Sequence, residues 1–252
     1  MSTEAKLKQK KSGCGKKEKC SSNLPTTEKS LPPPSGLSEE DMKKILTAYI
    51  LNNLRTLKAK NPGDTYYDEY LKHTGRDKEF FFDQYCFAIN RVLFCEPKRI
   101  LEIGVRTGTC IANMLSAYRN VNVIDRIVLC DIWNDGFASP EIVNMNLRAL
   151  NLGDIIPKIE FIIGDSKVKI PELQGEFDYI LVDGDHDKAV ALIDLDNVIR
   201  LCAPGGVIVF DDISPYGCAL IDVWEEFKKN NADTFTFGQD MAGKGTGWAI
   251  KS

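Results

Sequence analysis

No run of roughly 18 apolar residues occurs anywhere in this 252-residue chain, so nothing predicts a membrane-spanning helix. The N-terminus is polar and lysine-rich and lacks the apolar segment of a secretory signal. No internal repeat is visible. The cysteines form no zinc pattern: Cys14 and Cys20 stand in a C-x₅-C spacing with no second pair beside them. The later cysteines sit in apolar surroundings, as in Val128-Leu129-Cys130, which suits free buried thiols better than disulfides. A reducing, cytoplasmic location is the expectation. Net positive charge is also missing from the body of the chain. Residues 1–36 hold eight lysines against three glutamates, a net of +5, which leaves −9 for the remainder of a chain whose total is −4. An acidic body argues against nucleic acid as the main partner. Histidine is scarce, with only His73 and His186.

Residues 1–36 are rich in Lys, Ser and Pro and close on Pro32-Pro33-Pro34. So little apolar surface predicts a disordered basic tail. Residues 37–97 read as an N-terminal helical extension. Ser38 is a candidate N-cap, and Met42, Ile45, Leu46, Tyr49, Leu54 and Leu57 recur at helical spacing. That helix can pack on its own domain or on a second subunit in a homo-oligomer. Asn61-Pro62-Gly63-Asp64 ends it, and a second helix is expected over Lys78 to Phe94.

From Lys98 onward the pattern is strand–helix alternation. Strands are expected near 99–103, 126–131, 159–163, 178–183 and 206–211, with helices near 109–119, 139–150, 187–201 and 217–230. Runs such as Tyr179-Ile180-Leu181-Val182 are apolar throughout, which indicates strands buried on both faces of a parallel sheet. This alternation describes a doubly wound α/β domain over 98–252. Thr234–Phe237 and Gly247–Ile250 read as a closing hairpin joined by a Gly-rich link.

Ligands of such sheets bind beyond the C-terminal strand ends. The first strand runs into Leu101-Glu102-Ile103-Gly104, then Gly108-Thr109-Cys110 at a helix start. Glycine permits positive φ and close approach of a ligand, and the helix start offers unpaired N–H groups. The spacing Glu-x-Gly-x-x-x-Gly differs from the Gly-x-Gly-x-x-Gly of dinucleotide folds. Asp131 ends the second strand, where a carboxylate suits the cis hydroxyls of a ribose, or serves as a cap or surface acid. Ile132 beside it can pack on a purine face. Asp165 and Ser166 end the third strand and either bond a base edge or cap a short helix. Asp183-Gly184-Asp185-His186 and Asp211-Asp212 end the next two. Adjacent like charges are costly unless compensated, and a hard cation such as Mg²⁺ compensates them; the alternative is that they cap the following helices. His186, among these acids, is a candidate base.

Together these residues, with Pro204-Gly205-Gly206-Val207-Ile208-Val209-Phe210-Asp211-Asp212, resemble class I S-adenosylmethionine (SAM)-dependent methyltransferases. Within that class they are similar to the metal-dependent O-methyltransferases, and among those to the macrocin/mycinamicin-type sugar enzymes. The resemblance implies a mostly parallel, seven-stranded Rossmann-like sheet with the last strand antiparallel. It implies that Glu102, Gly104 and Gly108 lie against the methionine end of SAM, Asp131 on the ribose, and Asp165 with Ser166 near the adenine. It further implies that Asp183, Asp211 and Asp212 hold Mg²⁺ and that His186 is the base. Cys110 departs from the serine of many relatives, so its contact with the methionine carboxylate is expected through its backbone N–H. The function expected is Mg²⁺-assisted methyl transfer to a hydroxyl of a small acceptor. Two rivals are a SAM-fold protein with hydroxylase-like chemistry and a non-catalytic cofactor-binding interaction protein.

Overall fold

Alternating apolar residues on the strands build two cores, one on each face of a central sheet. The computed structural model describes residues 39–60, 96–118, 121–134, 136–241 and 243–252. The tail over 1–36 and the helix expected over Lys78 to Phe94 lie outside the described residues, as do His73 and Ser38.

Helix α1 spans Glu39–Lys60. The alternating unit follows as β1 (Arg99–Ile103), α2 (Thr109–Ala117), β2 (Arg126–Asp131), α3 (Pro140–Ala149), β3 (Ile159–Ile163), α4 (Ser166–Glu172), β4 (Phe177–Val182), α5 (Lys188–Val198), β5 (Cys202–Phe210) and α6 (Ile221–Asn230). Strands β6 (Phe235–Asp240) and β7 (Thr246–Lys251) close the chain as the expected hairpin. The sheet has seven strands in the order β3-β2-β1-β4-β5-β7-β6. β1 to β5 are parallel, and β7 pairs antiparallel with β5.

Burial follows the pleat. Ile100, Ile127, Leu129, Tyr179, Leu181, Val207 and Val209 face one core with residues of α1, α2 and α3. Leu101, Ile103, Val128, Cys130, Ile180, Val182, Ile208 and Phe210 face the other with residues of α4, α5 and α6. Each such side chain contributes about 1.5–3 kcal/mol by leaving water. β3 departs from the expectation of two-sided burial. It is an edge strand, and Ile163 at its end is 60% exposed.

α1 docks on its own domain. Ile50, Leu54 and Leu57 enter the core, and Asn53 Nδ2 donates to Asn113 Oδ1 at 3.0 Å and Ser116 Oγ at 2.9 Å on α2. Tyr49 Oη donates to Ser116 Oγ as well, at 3.0 Å. The chain leaves β1 toward β2 and β3, then returns to β4 on the other side of β1. This reversal opens a crevice at the C-terminal ends of β1 and β4, where the site lies.

Candidate active site

The crevice is a cavity of about 480 Å³ that runs from Arg106 and Asp131 to His186, Asp212 and Lys244. Every residue expected at the site except Gly108 and Asp211 lines it, and those two are chain neighbours of the lining residues Thr107, Thr109 and Asp212.

At the β1 end, Gly104 has φ +83°. A Cβ there would overlap the Asp183 carbonyl and sit 2.7 Å from Gly184 Cα, so β1 and β4 approach this closely only with glycine. Its N–H donates to Cys130 O at 3.0 Å. Gly108, also left-handed with φ 72°, caps α2. Glu102 is 3% exposed, and burial, with Asp183 and Asp131 nearby, pushes its carboxyl well above the usual carboxylate range. Burial likewise raises the Cys110 thiol, which is therefore neutral.

Asp131 does more than await a ligand. Its Oδ2 accepts from the backbone N–H groups of Val105 at 2.8 Å and Arg106 at 2.7 Å. Its Oδ1 accepts from Trp133 N at 2.8 Å. The Gly turn is therefore anchored to the end of β2. Two residues outside the expected set complete the anchor. Trp133 Nε1 donates to Arg106 O at 2.8 Å, and Asn146 Nδ2 on α3 donates to Thr107 O at 3.0 Å. Ile132, at the cavity edge, is 51% exposed.

At the β3 end, Asp165 rather than Ser166 caps the short helix, with Oδ1 accepting from Lys167 N at 2.9 Å. Ser166 Oγ donates to Asp194 Oδ2 on α5 at 3.0 Å. Burial lifts Asp194 to about 6. At the β4 end the helix cap is Asp187, which accepts from Ala189 N and Val190 N. Asp183 and His186 are therefore not spent on capping, and Asp185 accepts from Asp187 N in the same turn.

The acids converge as expected. One oxygen from each of Asp183, Asp211 and Asp212 lies within 4.8 Å of the others. Asp211 is 3% exposed and Asp212 1%. Asp212 holds φ 61°, a left-handed backbone in a non-glycine residue. Such strain persists where surrounding structure enforces it, often at functional sites. His186 Nε2 lies 3.1 Å from Asp212 Oδ2 and 4.0 Å from Asp183 Oδ1. Hydrogen bonding to Asp183 and Asp212 raises its pKa to about 10.

One member of the cluster was not expected. Lys244, in the Gly-rich link of the closing hairpin, places Nζ 3.3 Å from Asp211 Oδ2 and 2.8 Å from Asp212 Oδ1. Burial works against its charge, but Asp211, Asp183 and Asp212 outweigh that and raise its pKa. The neighbouring carboxyls are pushed apart. Burial and Asp183 lift Asp211 to about 8, whereas for Asp212 burial is outweighed by His186 and Lys244, which lower it. The sequence signal for Lys244 was weak: a lysine between two glycines, 32 residues beyond Asp212.

The fold is shared with known proteins. Residues 101–213 match the family model described as "Methyltransferase domain". That stretch, a little under half of the chain, is similar to a methyltransferase domain. The chain is 26% identical over 160 residues to probable caffeoyl-CoA O-methyltransferase 3 of Dictyostelium discoideum, a stretch that is 62% of this chain and 57% of that relative. It thus spans little more than half the length of the curated relative it matches. Among solved structures, the SAH-bound methyltransferase PaMTH1 of Podospora anserina superposes with a TM-score of 0.56 at 17% identity, over 89% of this chain and 100% of that one. The O-methyltransferase TomG of Streptomyces achromogenes, solved with SAM, gives 0.53 at 16% identity, over 86% and 99%. At these identities the likeness is one of fold, a seven-stranded sheet with an antiparallel last strand. No helix among the described residues is long and apolar enough to cross a membrane.

Proposed function

We propose that this chain is a SAM-dependent O-methyltransferase acting on a hydroxyl of a small acceptor, a sugar-type alcohol, with Mg²⁺ assistance. The observation that carries the reading is a cavity that joins the Gly turn and Asp131 to His186, Asp183 and Asp212, with Asp211 clustered beside those two acids. The matched methyltransferase domain and the curated O-methyltransferase relative support it.

The residues fit both groups. Gly104 lets the turn after β1 pack against the Asp183 backbone, which a Cβ would overlap, and Asp131 keeps lone pairs beyond its three N–H partners for a ribose diol. Glu102, Gly108 and the backbone at Cys110 would face the methionine end, with Ile132, Asp165 and Ser166 at the adenine. Asp183, Asp211 and Asp212 are the all-oxygen donor set that suits Mg²⁺. SAM supplies an electrophilic methyl on a sulfonium, and Mg²⁺ supplies positive charge that acidifies the acceptor hydroxyl. The chain's residues do the rest. The two cavity ends would bring acceptor and methyl donor together, and this orientation would contribute most of the rate. His186 Nε2 would take the acceptor hydroxyl proton, leaving that oxygen to receive the methyl that SAM would supply. With Asp183 and Asp212 holding its pKa at about 10, His186 is protonated in the ligand-free cavity at neutral pH. Its neutral, basic form appears when positive charge offsets those two carboxylates.

The test is incubation of the purified chain with methyl-labelled SAM, Mg²⁺ and a panel of sugar-type alcohols and catechols, read by mass spectrometry. A methylated alcohol is expected. Methylation of catechols alone overturns the acceptor class, and no labelled product from either panel overturns the enzymatic reading in favour of an interaction protein.

A further inference from the structure

A buried carboxylate cluster needs a cation, and this one already has a cation from its own chain. Lys244 Nζ lies within ion-pair distance of both Asp211 and Asp212, the two least exposed acids of the cluster. The turn that carries it is built to reach inward. Gly243 and Gly245 on either side take φ 60° and 79°, backbone that lets the hairpin fold back over β5. The turn is tied down by Ser214, whose N–H donates to Lys244 O at 2.8 Å and whose Oγ donates to Gly243 O at 2.6 Å. Ile213 N donates to Gly245 O at 3.2 Å. Residues 213 and 214 directly follow Asp211 and Asp212, so the lysine turn and the acids it neutralises are held by one segment. A Cβ at Gly245 would lie 2.6 Å from Ser214 N, and one at Gly217 would lie 2.7 Å from Lys244 O. The seat is a fitted one.

We infer that Lys244 is a resident counter-cation of the Asp183–Asp211–Asp212 cluster, and that a divalent cation reaches those oxygens only by displacing it. The inference rests on the Mg²⁺ reading above. Mg²⁺ sits about 2.0–2.1 Å from its carboxylate oxygens. An ammonium 2.8 Å from Asp212 and 3.3 Å from Asp211 occupies the approach to those same oxygens. Like charges at that separation repel strongly even at an effective dielectric of about 20. Lys244 therefore protects the metal-free protein from unpaired buried carboxylates, which are strongly destabilising. The same ion pairs weaken metal affinity, and metal binding is coupled to release of the lysine side chain from its seat.

Calorimetric titration of MgCl₂ into the full chain, wild type and Lys244→Met, tests this. The variant is expected to bind Mg²⁺ about tenfold more tightly or better, because the competing charge is gone. Equal or weaker binding in a folded variant overturns the inference and leaves the Mg²⁺ reading standing. No Mg²⁺ binding by either protein overturns the Mg²⁺ reading and the inference with it. Should Lys244→Met fail to fold, the wild type carries the test. Reductive methylation of Lys244, followed by peptide mass spectrometry, is expected to be slow without metal and about tenfold faster or more in saturating Mg²⁺. An unchanged rate under Mg²⁺ that calorimetry shows to be bound overturns the inference.

Discussion

Replacing Asp131 with alanine separates two roles that the structure gives to one carboxylate. In the ligand-free protein Asp131 accepts three backbone N–H groups, from Val105, Arg106 and Trp133. Hydrogen bonds to a charged acceptor are worth about 1.5–3 kcal/mol each when buried. These lie at a cavity mouth, where freed N–H groups regain water, so the three together should contribute about 2–4 kcal/mol. For a domain of this size that corresponds to a melting temperature lower by roughly 5–15 °C. Asp131→Asn keeps one acceptor oxygen and should fall between. The second role concerns the ribose. Losing two hydroxyl contacts to a carboxylate should weaken SAH binding by about a hundredfold. Differential scanning fluorimetry with an SAH titration reads both quantities in one experiment. If Asp131→Ala melts with the wild type, the turn is not anchored through this residue. If it melts early but binds SAH normally, the carboxylate is only an anchor and the ribose contact lies elsewhere.

Gly104→Ala should abolish SAH binding and cost several degrees of melting temperature, because its Cβ would meet the backbone of Asp183 and Gly184; normal binding by titration would show that the turn relaxes freely. His186→Ala should lower kcat by about two to four orders of magnitude while SAH affinity hardly moves, and unchanged turnover on an aliphatic acceptor would shift the base role to Asp185. The folded pKa of His186, about 10, lies above its ordinary value of 6.5. Its contribution to stability is therefore complete below pH 6.5 and lost as pH rises toward 10, and melting curves in EDTA across that window should show a decline that is reduced in His186→Ala. If the acids hold Mg²⁺ as proposed, excess EDTA should abolish turnover without disturbing SAH binding in calorimetry; full activity in EDTA would remove Mg²⁺ from the mechanism.

Much of the candidate site was legible in order along the chain. The acids at 131, 165, 183, 211 and 212 are readable because each terminates an apolar run, and parallel strands direct their C-terminal ends to one edge. The caps were less legible. Asp165 and Asp187, not Ser166, Asp183 or Asp185, accept the first N–H groups of their helices, because a cap is decided by local backbone angles that several neighbouring polar residues can satisfy. Strand β5 begins at Cys202, four residues before its expected start, since Ala203-Pro204-Gly205-Gly206 carries the breakers that normally mark a turn.

The amino-acid sequence by itself determined the alternation of strand and helix, the two-sided burial of β1, β2 and β4, and the residue types at the crevice. Each follows from the local period of apolar residues and the chemistry of one short stretch. Tertiary structure alone decided the rest. That α1 packs on its own domain follows from Asn53 meeting Asn113 and Ser116, partners 60 and 63 residues away. That Asp131 anchors the Gly turn needs β1 and β2 side by side in register, with Ile103 opposite Cys130. That Lys244 enters the acid cluster needs the antiparallel pairing of β7 with β5, which sets Gly247 opposite Phe210 and so brings the hairpin turn over Asp211 and Asp212. Periodicity carries information over a few residues, whereas the charge balance of a buried cluster depends on which distant segments the sheet order brings together.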